Sequence, residues 1–183
     1  MKSLLLILSF LWIHHLGSIE KIQIETLESK KISIDHYSNY KATIIYFLSP
    51  ECPLCQSYSL NINQLKSQFE SKGFRFLGIV SGTYFSKTQV RSFIKEYKLN
   101  IPIYMDAKAA FAKQLGATIT PEVFVLGKSK ETLYSGRIDN WAYELSRKRK
   151  VITEHNLLDA LNAINKRQKI KTTKTKAVGC YIE

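Results

Sequence analysis

The spacing of apolar positions changes along the chain, and each change marks an element. Ile22 and Ile24, then Ile32 and Ile34, alternate with polar neighbours across residues 19–40, which predicts a short β-hairpin or extended lead-in. ATIIYFLS (42–49) is continuously apolar and rich in β-branched and aromatic residues, as a strand buried on both faces should be. From Pro53 the pattern becomes helical. Leu54, Tyr58, Ile62, Leu65 and Phe69 fall on one face, and Gly73 closes the segment. Further on, the pattern predicts a strand at 74–81, a helix at 87–99, a strand at 101–105 and a helix at 107–116 closed by a glycine. PEVFVLG and ETLYSGRI then form a hairpin around GKSK, and a last helix covers 154–167 with Thr153 as its cap. The order β-β-α-β-α-β-α-β-β-α implies parallel strands with right-handed crossovers, closed by antiparallel ones. The fold class is therefore α/β, with a mixed central sheet between helices.

Length and composition add limits to this picture. The 183 residues suit one domain with a single core. Residues 1–18 place Lys2 ahead of an apolar run, Leu4 to Ile13, and end on Gly17 and Ser18, the pattern of a signal peptide. The run is shorter than the about 20 residues of a comfortable transmembrane helix. His14, His15 and Leu16 match a processing site poorly, so an uncleaved membrane anchor is the alternative. The expected organisation is a signal at 1–18, a domain at 19–167 and a basic tail at 168–183 carrying Cys180, in an exported, periplasmic or otherwise extracytoplasmic protein. The net charge of +12 is concentrated late: residues 147–176 hold ten Lys or Arg against Glu154 and Asp159. A solvated surface is the first reading of that run and an anionic membrane surface the second. Nucleic acid is not expected, because no aromatic residues are interleaved for base stacking. The tail from Lys169 has little apolar content until AVGCYI, and should pack only at its end.

Two of the three cysteines sit in SPECPLC, where the central strand gives way to the helix. Pro53 suits the first helical position, which puts Cys52 at the N-cap. Proline has no N–H, so the free backbone donors of Leu54 and Cys55 face the Cys52 sulfur, and the helix dipole favours its anion. Such sites lower a thiol pKa from about 8.5 to roughly 3.5–7.5, and the thiolate is the nucleophile of disulfide exchange. Cys55 lies one turn on, more enclosed, placed to attack a mixed disulfide on Cys52 and release the partner. A structural disulfide fits less well, because so short a loop restrains little chain entropy. Half a zinc site would need Cys180 with His36 or His155, and no metal is expected. No organic cofactor is implied, since electrons pass through the dithiol itself.

The strand TIIYFL, the CPLC motif opening a helix, and TITPEVFVL beginning the late hairpin together resemble the thioredoxin superfamily over residues 20–165. More narrowly, the chain is similar to the exported redoxin branch, which includes alkyl-hydroperoxide-reductase-like (AhpC/TSA-type) proteins. The separation of Cys52 from Pro121 leaves room for that branch's additional helix and strand. The resemblance implies a three-layer thioredoxin-like fold and exchange with protein thiols or disulfides, or with a redox partner protein. It also implies a cis Pro121 facing the cysteines, with the Thr120 backbone pairing with an incoming substrate strand while Cys52 attacks. Ser49, Pro50 and Glu51, with Pro53 and Leu54, are the motif neighbours. The chain departs from thioredoxins in having Glu51 in place of a tryptophan, Tyr46 in place of a buried acid and Leu60 in place of a proline. The Glu51 carboxylate is expected to oppose the helix and raise the thiol pKa.

Two other chemistries compete. A peroxiredoxin-like peroxidase places Ser or Thr where Ser49 stands and a proline where Ile45 stands, and needs an arginine, for which Arg137 is a weak candidate better read as an ion-pair partner. A copper-binding chaperone of the same fold uses a wider cysteine spacing and a late-loop histidine. Cys180 is a candidate third redox thiol: a second resolving thiol reaching Cys52, a link to another chain, or an inert tail residue. An exported unpaired thiol argues against the last.

Overall fold

In the computed structural model, residues 23–34 and 37–182 are described. The expected signal segment 1–18 and His36 lie outside them. Eleven strands and four α-helices are found among the described residues. A seven-stranded sheet forms the centre, in the order β2 (Lys31–Ser33), β1 (Gln23–Thr26), β5 (Ile103–Asp106), β4 (Phe74–Ser81), β3 (Ala42–Phe47), β7 (Glu122–Leu126) and β8 (Thr132–Gly136). β3, β4 and β5 are mutually parallel, while β7 and β8 run antiparallel on one side and the β1–β2 hairpin on the other. The mixed sheet follows from the helical crossovers after β3 and β4 and the tight turn between β7 and β8.

β3 is buried at every position, and its side chains divide by parity. Ile44 and Tyr46 join the apolar face of α1 (Pro53–Phe69), together with α2 (Lys87–Glu96) and α4 (Asn156–Asn165). Ile45 and Phe47 pack on the other side against α3 (Ala110–Leu115) and Ile24 and Ile34 of the lead-in. A strand covered on both faces has no solvent side, which explains its unbroken apolar run. The predicted face of α1 is the buried one, with Leu54, Tyr58, Ile62, Leu65 and Phe69 all in the core. A short 3₁₀ turn follows to Gly73, whose φ of 89° ends it in the left-handed conformation that glycine tolerates.

Three helix limits differ from those predicted. α2 ends at Glu96 rather than 99, because Lys98 takes a positive φ of 50°. α3 starts at Ala110 rather than 107, after a left-handed Ala109, and its first amides donate to the buried Asp106 carboxylate. α4 begins at Asn156, and Thr153 does not cap it: the Thr153 hydroxyl accepts from Asn140 Nδ2 at 2.7 Å instead. Two small sheets complete the fold, β9 (Ala142–Glu144) with β10 (Arg147–Lys148), and β6 (Ile119–Thr120) with β11 (Cys180–Tyr181).

The tail is attached well before its end, contrary to the expectation that it packs only there. Ser135 N–H donates to Thr173 O at 3.0 Å and Thr175 N–H to Ser135 O at 2.9 Å. The Thr175 hydroxyl bonds the buried Tyr134 hydroxyl and accepts from Arg137 N–H. These polar contacts replace the apolar anchors whose absence suggested a loose segment.

Leu157 of α4 is fully buried against the α1 side of the sheet. Leu157→Ala is expected to lower unfolding free energy by about 2–5 kcal/mol in a urea titration, and a loss below about 1 kcal/mol would show that α4 does not close the core.

Candidate functional site

The end of β3 delivers the chain into a turn in which Cys52 N–H donates to Ser49 O at 3.2 Å. Pro53 then opens α1, and Cys52 is its N-cap residue, with extended backbone and no side-chain cap bond. Pro50 O accepts from Gln56 Nε2 at 2.8 Å, which ties the turn to the second turn of the helix. Ser49 N–H donates to Cys55 Sγ at 3.4 Å. Leu54 and Cys55 are fully buried, and Cys52 is 1% exposed.

Opposite the turn, the Thr120–Pro121 peptide bond is cis. Thr120 O lies 3.0 Å from Cys52 Sγ and accepts from the neutral thiol. β11 pairs antiparallel with β6 in a register that sets Cys180 across from Thr120. The Thr120 hydroxyl donates to Cys180 O at 3.3 Å, and Ile182 N–H donates to Thr118 O at 2.9 Å. Three cysteines thus meet where α1 reaches the sheet edge, and both Cys55 and Cys180 are near enough to influence the Cys52 thiol.

The three thiols titrate differently. The Cys55 thiol beside it is the largest influence on Cys52 and lowers its pKa to about 5. Burial opposes this, while the Cys180 thiol and the backbone N–H groups of Cys55 and Cys180 reinforce it. Cys55 is raised well above its ordinary value, first by burial and then by donating to Cys52 and lying near its negative charge. Cys180 is raised to about 12, again by burial first and then by Cys52. The Cys55 amide at the helix start acts as the sequence suggested. Glu51 is exposed, and its expected upward push does not prevail, because water screens a charge held at the surface.

A cavity of about 260 Å³ opens beside Cys52, walled by Phe47, Thr120, Tyr84, Phe85, Cys180 and Ile182 among others. A thiolate with a protonated thiol alongside can attack a disulfide that enters here, with a second sulfur ready to displace the product. Arg137 is not part of this site: its guanidinium bonds Glu154 at 2.7 Å and Asn156 at 2.8 Å, as an ion-pair role requires. His155 sits before α4 and does not line the cavity. Tyr84, Phe85 and Gly179 were not singled out from the sequence. The glycine next to Cys180 within an apolar hexapeptide was the available signal for a closely seated tail.

The AhpC/TSA family model matches residues 18–134. Among curated relatives, the thiol-disulfide oxidoreductase ResA of Bacillus thuringiensis subsp. konkukian is 23% identical over 107 residues, 58% of this chain and 60% of that protein. Among solved structures, a hypothetical protein from Sinorhizobium meliloti 1021 superposes with a TM-score of 0.76 at 21% identity, covering 88% of this chain and 89% of that one. A secreted Mycobacterium tuberculosis disulfide oxidoreductase homologous to E. coli DsbE gives a TM-score of 0.51 at 18% identity, over 61% of this chain and 80% of that one. On these likenesses the fold is thioredoxin-like, and the chain belongs to the AhpC/TSA family.

Proposed function

We propose that the chain is a thiol-disulfide oxidoreductase working by dithiol–disulfide exchange at Cys52-Pro53-Leu54-Cys55. The observation that carries this reading is the placement of Cys52 at the N-cap of α1, with its sulfur 3.0 Å from the carbonyl oxygen of Thr120 before the cis proline and Cys55 fully buried one turn on; the pKa of Cys52 is lowered to about 5 and that of Cys55 raised. Cys52 thiolate attacks a substrate disulfide, one substrate sulfur leaves, and a mixed disulfide forms. Cys55 then loses its proton and attacks Cys52 Sγ, which releases the second substrate sulfur and closes the Cys52–Cys55 bridge. Burial keeps Cys55 protonated until the charge on Cys52 has gone, so the order of attack is set by electrostatics. Thr120 and Pro121 form the wall of the substrate groove. The names of the ResA relative and of the M. tuberculosis protein support the same activity.

Substrates are protein thiols and disulfides, or a redox partner protein. Export is supported by the signal-like residues 1–18 and by the secreted M. tuberculosis protein, and no described helix is long and apolar enough to cross a membrane. The basic residues of 147–176 are all exposed, and their charge suits an anionic membrane surface. The peroxidase reading has less support, since the described residues lining the cavity include no arginine.

In glutathione redox buffers with disulfide mapping by mass spectrometry, the full chain should form a reversible Cys52–Cys55 bridge; absence of that bridge at every potential would refute the reading. With both Cys55 and Cys180 replaced by serine, partners should be held on Cys52 as mixed disulfides. Alkylation of Cys52 in the reduced chain should rise through a midpoint near pH 5, and Cys55→Ala, by removing the largest lowering influence, should move that midpoint upwards. A wild-type midpoint at about 8.5, the ordinary thiol value, would contradict the account.

A further inference from the structure

In a thiol-exchange site built on an exposed sheet edge, an incoming extended chain is expected to add itself as a strand. Here that position on Thr120 is already filled by the protein's own β11. The seat is close: a Cβ at residue 179 would collide with the Thr120 carbonyl oxygen, so only glycine lets the tail backbone approach this far. Ile182 packs against the core beyond it. With the tail in place Cys52 is 1% exposed, whereas Cys180 is only partly buried and forms part of the cavity wall. Cys52 and Cys180 line the same cavity, with Cys180 paired across from Thr120, whose carbonyl oxygen is 3.0 Å from Cys52 Sγ.

We infer that the tail is a built-in substrate strand and that Cys180 is the port thiol, through which electrons enter and leave Cys52 by way of a Cys52–Cys180 disulfide. The inference rests on Cys52 being the exchange nucleophile. In the oxidised chain Cys180 gives up its proton and attacks Cys52 Sγ. The Cys52–Cys55 bond breaks, the Cys52–Cys180 bond forms, and Cys55 leaves as a thiolate that takes up a proton, with no net change in oxidation state. An external thiolate then attacks the Cys180 sulfur and Cys52 leaves as its stable thiolate. A second external thiol attacks the resulting mixed disulfide, which frees Cys180 and releases the external disulfide. Two external thiols are oxidised and one protein bridge is reduced; a substrate disulfide is reduced by the same steps in reverse. The charge on Cys52 that helps to keep Cys180 protonated is absent while Cys52 is bridged, which frees Cys180 to ionise at the step that needs it.

Oxidation of the full-length Cys55→Ser chain with glutathione disulfide, followed by peptide mapping, tests the inference, and Cys55→Ala repeats it in case a buried serine hydroxyl impairs folding. An intrachain Cys52–Cys180 bridge is expected. A chain that stops with glutathione on Cys52 and a free Cys180, or that dimerises through Cys180, overturns the inference while leaving the Cys52–Cys55 exchange reading in place. That reading fails separately if the wild-type chain forms no Cys52–Cys55 bridge. In the Cys55→Ser background, Gly179→Val should displace the tail and slow Cys52–Cys180 bridge formation by about tenfold, the factor that accompanies about 1.4 kcal/mol of lost seating. Equal rates would overturn the inference.

Discussion

A negative charge at Cys52 has to be held almost without water, and the local structure is organised around that constraint. A buried thiolate is costly unless donors replace its hydration. The donors come from three places: the Cys55 thiol, the Cys55 amide at the start of α1, and the thiol and amide of Cys180 on the tail. Each depends on a different part of the fold. β3 and its turn set the start of the helix, the apolar face of α1 fixes Cys55 under the sheet edge, and β6 holds the tail strand. Thr120 O favours the neutral thiol at 3.0 Å, so the two protonation states of Cys52 use different partners within one arrangement.

The energetic support for this lies away from the sulfurs. β3 is covered on both faces, which leaves its C-terminal end no freedom to shift when a charge appears beside it. Tyr58, one turn after Cys55, donates to Asp139 and meets Trp141 edge-on at 5.4 Å. That contact binds α1 to the segment after β8. The same region, through Tyr134, Ser135 and Arg137, anchors Thr173 and Thr175. Helix and tail therefore share one scaffold, and the tail reaches Cys52 from a fixed point.

Local pattern made most of the sheet and the motif legible. The helical face of α1 follows from five apolar residues at the right spacing, and the N-cap position of Cys52 follows from Pro53. The run of β3 shows that both faces are covered because no polar side interrupts it. What the sequence could not show was long-range or polar. The pairing of residue 180 with residue 120 leaves no periodic trace, since two-residue strands are too short to alternate. Thr153 has the right chemistry for a cap, yet Asn140 uses its hydroxyl. The tail between 169 and 176 is basic and looked unattached, because its anchors are hydroxyls and backbone groups rather than apolar side chains. Cys180 could be named as a candidate third thiol, but its place on the Thr120 edge emerged only with the fold.

The seating of the tail over Cys52 is the central claim, and amide hydrogen exchange at Ile182 in the reduced full-length chain tests it most directly. Its N–H donates to Thr118 O in the strand pair. The account predicts exchange far slower than that of an exposed chain, comparable with the anchored Thr175 amide. Exchange of Ile182 at the rate of a free terminus would show that the tail does not occupy the Thr120 edge, and would remove both the Cys180 donors and the port from the site.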